Sequence, residues 1–269
     1  MDANTSTFPL SSVARATPRR VRTVTPAATP AAATAPEEPP QERSTVADPD
    51  SFEPRERNEL VCRVFNLVVA TILLVLALPI MLITALGIRL TSKGPIFYMQ
   101  TRVGIDRRWN RTRALHERRR EDLGGSPFTI FKFRSMKVDA ESNGTAVWAK
   151  KDDDRVTAVG KVIRKARIDE LPQLINVLRG DMNIVGPRPE RPSIFVRLRE
   201  QIDEYPIRQR VKPGITGRAQ VLHNYDTCLD DVRTKVSHDL EYMRRQSLVE
   251  DLAIMARTVP VMLFRIGGW

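Results

Sequence analysis

The longest apolar stretch of the chain runs from Val64 to Ile88 and contains few polar residues. A run of about 25 apolar residues is long enough to cross a bilayer as a helix. Pro79 lies inside the run and predicts a kink, because proline removes a backbone hydrogen bond. A helix that bends at Pro79 and returns to the same membrane face and a conventional single crossing fit this run equally well.

Basic residues flank both ends of the apolar run. Arg55, Arg57 and Arg63 precede it, and Arg89 and Lys93 follow it. Positive charge normally marks the cytoplasmic side of a membrane helix. Charge at both ends therefore does not orient a crossing helix, and it suits a helix whose two ends share one face.

The remainder of the chain has the pattern of short strands and helices. Residues 127–136 (PFTIFKFRSM) alternate with period two, which predicts a strand carrying Lys132 and Arg134 on one face. Helices are predicted over residues 157–167, 170–179, 190–204, 228–245 and 248–264. The predicted fold class is α+β, mostly helical with a small sheet.

The last predicted helix carries an apolar stripe. Its members are spaced as on one helix face: Leu248, Leu252, Met255 and Val259. Such a stripe is more typical of a core than of a membrane contact. Beside a bilayer, an amphipathic helix in the interface would have the same pattern.

Composition divides the chain further. Residues 1–54 are rich in Ala, Pro, Thr and Ser, which predicts a disordered tail. Residues 55–92 are then expected to form the membrane helix and residues 93–269 a folded domain, with an Arg-rich insert at 105–125. Arg19-Arg20 is followed by no apolar segment, so no export signal is expected.

The net charge of +11 over 269 residues favours an anionic partner. It does not choose among nucleic acid, anionic lipid and nucleotide phosphates. Cys62 and Cys228 form no CxxC, and with three histidines they make no zinc pattern. The glycine fingerprints of Rossmann and P-loop nucleotide sites are also absent.

Asp169 and Glu170 form a carboxylate pair just before Pro172, at a predicted helix start. A carboxylate fixed there as the anion can serve as a nucleophile or as a ligand for a hard cation. Helix capping is the commoner role of such residues. What favours a catalytic role is the set of cations in the surrounding sequence: Lys132, Arg134, Arg164, Lys165, Arg167 and Arg188.

Two turn-rich segments accompany these charges. Arg188 is fixed between Pro187 and Pro189, and a rigid guanidinium grips phosphate well. Gly214 and Gly217 flank Thr216 in a loop whose backbone can approach a ligand closely. Either segment alone is a weak signal.

Taken in order, the motifs SKGPIFYMQTRVG, FKFRSM, RKARIDELPQL, LRGDMNIVGPRP and KPGITGRAQV resemble those of the bacterial sugar transferases, the monotopic phosphoglycosyl transferases. The resemblance covers residues 57–261. It implies transfer of a sugar 1-phosphate from a UDP-sugar to undecaprenyl phosphate, a polyprenyl phosphate, with release of UMP. Such a reaction begins exopolysaccharide, capsule or O-antigen assembly.

The resemblance also implies roles for single residues. Asp169 is similar to the nucleophile that becomes a phosphosugar-aspartate and contacts Mg²⁺ (or Mn²⁺), and Glu170 to its dyad partner. Pro79 resembles the break of a helix-break-helix element that dips into one leaflet of the inner membrane, with the catalytic domain on the cytoplasmic face. The predicted substrate-binding set is Lys132, Arg134, Arg164, Pro187, Arg188, Pro189, Gly214, Thr216 and Gly217.

Departures from the family pattern concern Arg218, where a tryptophan is frequent, and the Arg-rich insert. They leave the dyad intact, but the identity of the sugar is not predicted. Two other hypotheses are a basic protein that binds nucleic acid or anionic lipid without catalysis, and an inactive scaffold. The enzyme hypothesis requires membrane lipid but no nucleic acid, allows a homo-oligomer, and needs no transmembrane bundle ahead of the catalytic domain.

Overall fold

The computed structural model describes residues 51–109, 122–138, 140, 153–223 and 228–264. The fold is mostly helical with small sheets, in agreement with the prediction from sequence. The helices of the described residues are α1 (Glu59–Thr91), α2 (Ala158–Lys165), α3 (Gln173–Arg179), α4 (Pro192–Arg199), α5 (Arg218–Leu222), α6 (Leu229–Arg245) and α7 (Leu248–Phe264). Two 3₁₀ segments, Ile168–Glu170 and Tyr205–Arg210, connect them.

Helix α1 is the one helix of the described residues that is long and apolar enough to cross a membrane. Asn58 caps its start by accepting a hydrogen bond from the Val61 amide at 3.1 Å. The helix continues through Pro79 as a single element of 33 residues. One face is buried, through Asn66, Ala70, Met81, Thr84 and Ile88. The opposite face is apolar and exposed, with Val75, Leu76, Leu82, Ile83 and Leu90 among its residues.

Strands β1 (Phe97–Val103) and β2 (Pro127–Phe133) pair antiparallel, with Phe97 opposite Phe133 and Val103 opposite Pro127. The strand predicted over 127–136 therefore ends at Phe133. Two further strands, β3 (Asn183–Val185) and β4 (Gly214–Thr216), pair in parallel. Because parallel strands run in one direction, their carboxyl ends open towards the same side of the molecule.

The core lies between α1, α3, β3, α4, α6 and α7, and its buried members include Val177, Met182, Phe195, Leu240 and Ile254. A second cluster joins α1 to the β1–β2 pair through Met81, Ile88, Phe133 and Ile163. Gly180 ends α3 in the left-handed region at φ +93°, a conformation that favours glycine.

Two features differ from the sequence expectations. Phe52, which the predicted boundary assigns to the tail, is only 5% exposed in the core, so packing begins before Arg55. In α7, Leu252 and Val259 of the predicted stripe are exposed, as its interfacial alternative requires, whereas Ile254, which is not in the stripe, is fully buried. Periodicity identified an amphipathic helix correctly but not which of its apolar residues the domain covers.

Most of the Arg-rich insert and of the 1–54 tail lies outside the described residues.

Candidate active site

The Asp169–Glu170 pair lies on the 3₁₀ turn Ile168–Glu170 that precedes α3, with Pro172 at the helix cap. The sequence predicted the pair at the start of the helix itself. Arg167, immediately before the turn, has φ +53°, a conformation that non-glycine residues rarely adopt. The chain therefore reverses sharply after α2, and backbone strain of this kind is concentrated at functional sites.

Glu170 is held by two cations. Nζ of Lys132 donates to its Oε1 at 2.8 Å, and Nη2 of Arg188 donates to the same oxygen at 2.6 Å. The Glu170 side chain is only 12% exposed. Burial alone would raise the pKa of Glu170, but Arg188 and Lys132 lower it well below its usual range. Glu170 is therefore ionised, and it joins Lys132 of β2 to Arg188 of the segment after β3, which are distant in sequence.

Asp169, unlike the neighbouring Glu170, has no bound partner among the described residues. It makes no hydrogen bond or ion pair with the residues that the structure describes, and it lies within the fields of Lys132, Arg164 and Arg188. Burial and the charge of Glu170 raise the pKa of Asp169. Its oxygens are therefore uncommitted, and cations surround it without neutralising it.

Lys132 owes its position to a buried amide that sequence reasoning missed. Asn176 of α3 accepts from the Phe131 amide at 3.0 Å and donates to the Thr129 carbonyl at 2.7 Å. This side chain therefore joins β2, which carries Lys132, to the helix that follows the dyad. The available signal was a polar residue inside the apolar run LINVL.

Arg188 is held in place from outside the dyad. Arg208 donates from Nη2 to the Arg188 carbonyl at 3.2 Å and from Nε to Oδ2 of Asp239 at 2.7 Å. Both side chains of the Arg208–Asp239 pair are 1% exposed. Arg102 donates to the Pro189 carbonyl at 3.2 Å. The sequence singled out none of these three residues, because nothing in their local pattern distinguishes them from surface charges.

The loop around Thr216 lies against the Pro187–Pro189 segment. The Gly214 amide donates to the Pro187 carbonyl at 2.9 Å, and the Gly186 amide donates to the Thr216 carbonyl at 2.9 Å. A side chain at Gly217 would collide with the Gly186 carbonyl. The two predicted loops thus form one rigid unit at the carboxyl ends of β3 and β4.

Arg134, which the sequence assigns to the substrate-binding set, lies at the end of α1 and away from the dyad. Its guanidinium donates to the Lys93 and Ser92 carbonyls at 2.8 and 2.9 Å, at the end of α1. It is 5% exposed and does not contact Glu170. Arg134 lies beyond the end of β2 at Phe133, so the strand alternation that grouped it with Lys132 no longer applies there.

The described residues contain no cluster of three or more carboxylate, histidine or cysteine side chains that could hold a metal ion by themselves. Mg²⁺ commonly binds through one or two carboxylates together with substrate phosphates. The uncommitted carboxylate of Asp169 fits that arrangement, whereas Lys132 and Arg188 already occupy Glu170.

Residues 57–265 match the model of the bacterial sugar transferase family. This chain belongs to the bacterial sugar transferase family. The match begins just before α1 and extends past α7, so it includes both the apolar helix and the dyad.

Curated members of the family are clearly similar to this chain. The UDP-N-acetylgalactosamine-undecaprenyl-phosphate N-acetylgalactosaminephosphotransferase of Aeromonas hydrophila is 42% identical over 77% of this chain and 44% of its own length. Two UDP-glucose:undecaprenyl-phosphate glucose-1-phosphate transferases are similar to the same extent. That of Caulobacter vibrioides is 41% identical over 78% of this chain and 72% of its own length. That of Escherichia coli is 39% identical over 75% of this chain and 40% of its own length.

The chain thus spans less than half the length of the Aeromonas and Escherichia sugar transferases, and nearly three quarters of the Caulobacter one. The names of these relatives agree on the acceptor and differ on the sugar, so similarity to them does not select the sugar.

Proposed function

We propose that this protein transfers a sugar 1-phosphate from a UDP-sugar to undecaprenyl phosphate and releases UMP, with Asp169 as the covalent nucleophile. The observation that carries the proposal is the division between the two carboxylates. Glu170 is bound by Lys132 and Arg188, whereas Asp169 beside it has free oxygens in a cationic setting. A nucleophile needs a lone pair that no other group occupies, whereas a positioning group acts through the partners that it binds.

In the first half-reaction, an oxygen of Asp169 attacks the sugar-linked phosphorus of the donor. The new bond is a carboxyl–phosphorus bond, and the bond that breaks joins this phosphorus to the bridging oxygen of the diphosphate. UMP leaves with that oxygen. Arg188 and Lys132 lie beside the dyad, where negative charge accumulates on the phosphoryl oxygens, and cations in that position are a principal source of catalysis in phosphoryl transfer.

In the second half-reaction, a phosphate oxygen of the lipid acceptor attacks the same phosphorus. The carboxyl–phosphorus bond breaks, and Asp169 is regenerated as the carboxylate. The raised pKa of Asp169 is compatible with both steps, because a more basic carboxylate is a better nucleophile while its acyl phosphate stays reactive.

A divalent cation, Mg²⁺ or Mn²⁺, belongs to this proposal. Asp169 would hold it together with the donor diphosphate, and when bound it neutralises phosphate charge and favours the ionised carboxylate. Arg164 and Arg188 contribute positive charge from the protein itself.

We also propose that α1 enters and leaves the membrane on the cytoplasmic face of the inner membrane, with the catalytic domain on that face. Both ends of the helix are bonded to this domain. Arg63 donates to the Val177 and Leu178 carbonyls at 2.6 Å, and Arg134 holds the Ser92–Lys93 end. A straight crossing would separate these ends by the roughly 30 Å of the hydrocarbon core.

Burial along α1 supports the same geometry. The face towards the domain is buried at Asn66 and Ala70 and again at Met81, Thr84 and Ile88, so the domain covers both halves of the helix, while the other face stays apolar and exposed. The exposed residues Leu252 and Val259 of α7 provide a second apolar surface suited to an interfacial helix. We keep the domain division proposed from sequence, residues 1–54, 55–92 and 93–269, with Phe52 moved to the folded part.

The experiment that tests the reaction is UMP release by detergent-purified protein across a panel of UDP-sugars with Mg²⁺, with and without undecaprenyl phosphate. A burst of UMP without the acceptor, together with a sugar-phosphate adduct on the Asp169 peptide by mass spectrometry, is the expected result. A strict requirement for both substrates before any UMP appears would contradict the covalent mechanism. The donor that reacts identifies the sugar.

A further inference from the structure

A cavity of about 720 Å³ lies beside the amino end of α1. Its lining includes Arg55, Cys62, Arg107, Trp109, Asn183 and Lys212. The dyad and its cations do not line it: neither Asp169, Glu170, Lys132 nor Arg188 borders the cavity.

The cavity and the dyad use different residues of the parallel strand pair. Asn183, the first residue of β3, and Lys212, two residues before β4, border the cavity. Arg188, three residues after the end of β3, reaches Glu170 and does not border the cavity. The two sites therefore share none of the described residues.

The cavity has an excess of positive charge. Among the described residues of its lining, six side chains are cationic and two are carboxylates, those of Glu56 and Glu59. Three of the six have partners: Arg57 bonds Asp251, Arg63 bonds the end of α3, and Arg210 bonds the Phe52 carbonyl.

The other three cationic side chains have no hydrogen-bonded or ion-paired partner among the described residues. Arg55 and Arg107 are exposed at the rim, and Lys212 is half-buried. Burial lowers the pKa of Lys212, and the nearby charges of Arg63 and Arg107 lower it further, although Cys62 and Glu59 act in the opposite direction. A half-buried ammonium among like charges is unfavourable until an anion joins it.

The position of the cavity indicates what kind of anion it meets. Cys62 and Arg63 directly precede the apolar run that starts at Val64. With α1 in the membrane, as proposed above, the cavity lies at the depth of the lipid headgroups. Ammonium and guanidinium groups at this depth are suited to phosphate.

We propose that this cavity is a second, non-catalytic anion site that binds a phosphate group at the membrane surface, where an anionic lipid headgroup supplies it. A free phosphate compound has the same chemistry and is the alternative source. Occupation of the site compensates Lys212 and holds the start of α1 at the headgroup layer. This inference rests on the proposed membrane attachment of α1 and not on the transferase reaction.

The two cysteines provide a direct test in the full-length protein. Cys62 borders the cavity, and Cys228, at the exposed start of α6, reports on the bulk surface. Alkylation of each thiol is followed by mass spectrometry in nanodiscs of phosphatidylcholine alone and in nanodiscs that also contain phosphatidylglycerol. A second arm adds inorganic phosphate or pyrophosphate to the neutral nanodiscs.

We expect phosphatidylglycerol to slow alkylation of Cys62 several-fold relative to Cys228, and Lys212→Ala and Arg107→Ala to remove this protection. Arg89→Ala is the matched control, because it removes an exposed cation from the other end of α1 and should leave the protection intact. Since all variants share one lipid surface, the effect of surface charge on local pH cancels. Protection by soluble phosphate alone would assign the site to a free phosphate compound.

Equal protection in Lys212→Ala and wild type, or none in either arm, would overturn the proposal. Native mass spectrometry gives an independent measure, because wild type should retain more phosphatidylglycerol than Lys212→Ala. Equal retention would likewise contradict the inference. UMP release by the wild type is measured in parallel. Turnover without any protection of Cys62 in the wild type rejects only this site, and protection without turnover rejects only the proposed reaction.

Discussion

Asp169 and Glu170 are adjacent in sequence, yet the fold moves their pKa values in opposite directions. Burial and the charge of Glu170 raise the pKa of Asp169, whereas Arg188 and Lys132 overcome burial and lower that of Glu170. Environments that separate the pKa values of neighbouring carboxyls commonly mark a division of tasks.

Asp169→Asn and Glu170→Gln should differ in stability although both should impair activity. Glu170→Gln leaves Lys132 and Arg188 without their shared partner, and breaking a buried pair costs about 3–5 kcal/mol. Asp169→Asn removes a buried charge that has no partner, so its free energy of unfolding should stay near that of wild type. Thermal denaturation of the two isosteric variants makes the comparison. Equal destabilisation would contradict the assigned roles.

The rate of UMP release should fall on the acid side at a pH above the ordinary pKa of an aspartate, 3.8. The reason is that Asp169 attacks only when ionised, and its pKa is raised. The free energy of unfolding depends on pH in opposite directions through the two residues. The contribution of Glu170 is present above its unfolded pKa and is lost as the pH falls through its lowered folded pKa. Holding Asp169 ionised in the folded protein lowers the free energy of unfolding at pH values above its raised folded pKa, and this destabilisation disappears as the pH falls.

A pH profile of kcat/KM, which reports the free enzyme, separates these effects when denaturation curves are recorded at the same pH values. An acid limb that follows unfolding would contradict the assignment to Asp169, whereas one that precedes unfolding supports it.

Arg208 should act as a positioning residue for Arg188. Arg208→Lys keeps the charge but loses the planar fork that reaches both Asp239 and the Arg188 carbonyl. We expect kcat for UMP release to fall at least tenfold, with a smaller change in KM. Arg199→Lys, at an exposed ion pair with Asp122, is the control and should change stability by less than about 1 kcal/mol. An unchanged kcat in a folded Arg208→Lys protein would rule the role out.

The two ends of α1 should lie on the same side of the membrane. In a protein with Cys62 and Cys228 replaced by serine, Glu59→Cys and Lys93→Cys introduce single thiols just outside the apolar run. A membrane-impermeant maleimide should label both in inverted vesicles and neither in intact spheroplasts. Labelling of the two positions from opposite sides would establish a single crossing and refute the re-entrant geometry.

Much of the architecture could be predicted from local pattern. The apolar run predicted α1, the period-two alternation predicted β2, and helical periodicity predicted α6 and α7 with close boundaries. These signals depend on neighbours within a few residues, where the sequence and the structure are directly related. The same reasoning failed for Arg134, because alternation holds only while the strand continues, and β2 ends at Phe133.

The positioning residues could not be predicted. Asn176, Arg208 and Asp239 are polar side chains in helical segments, where most such residues face solvent. Arg208 and Asp239 are 31 positions apart and become a buried pair only when the Tyr205–Arg210 segment packs on α6. A single sequence contains no record of that contact.

The sequence by itself determined the family, the apolar helix and the identity of the carboxylate pair, since each is written in consecutive residues. Only the tertiary structure decided that Glu170 is committed to Lys132 and Arg188 while Asp169 is free. The same is true of the cationic cavity around Lys212. Both are matters of distance and burial between segments far apart in the chain, and hydrogen bonding and desolvation depend on those distances and not on position in the sequence.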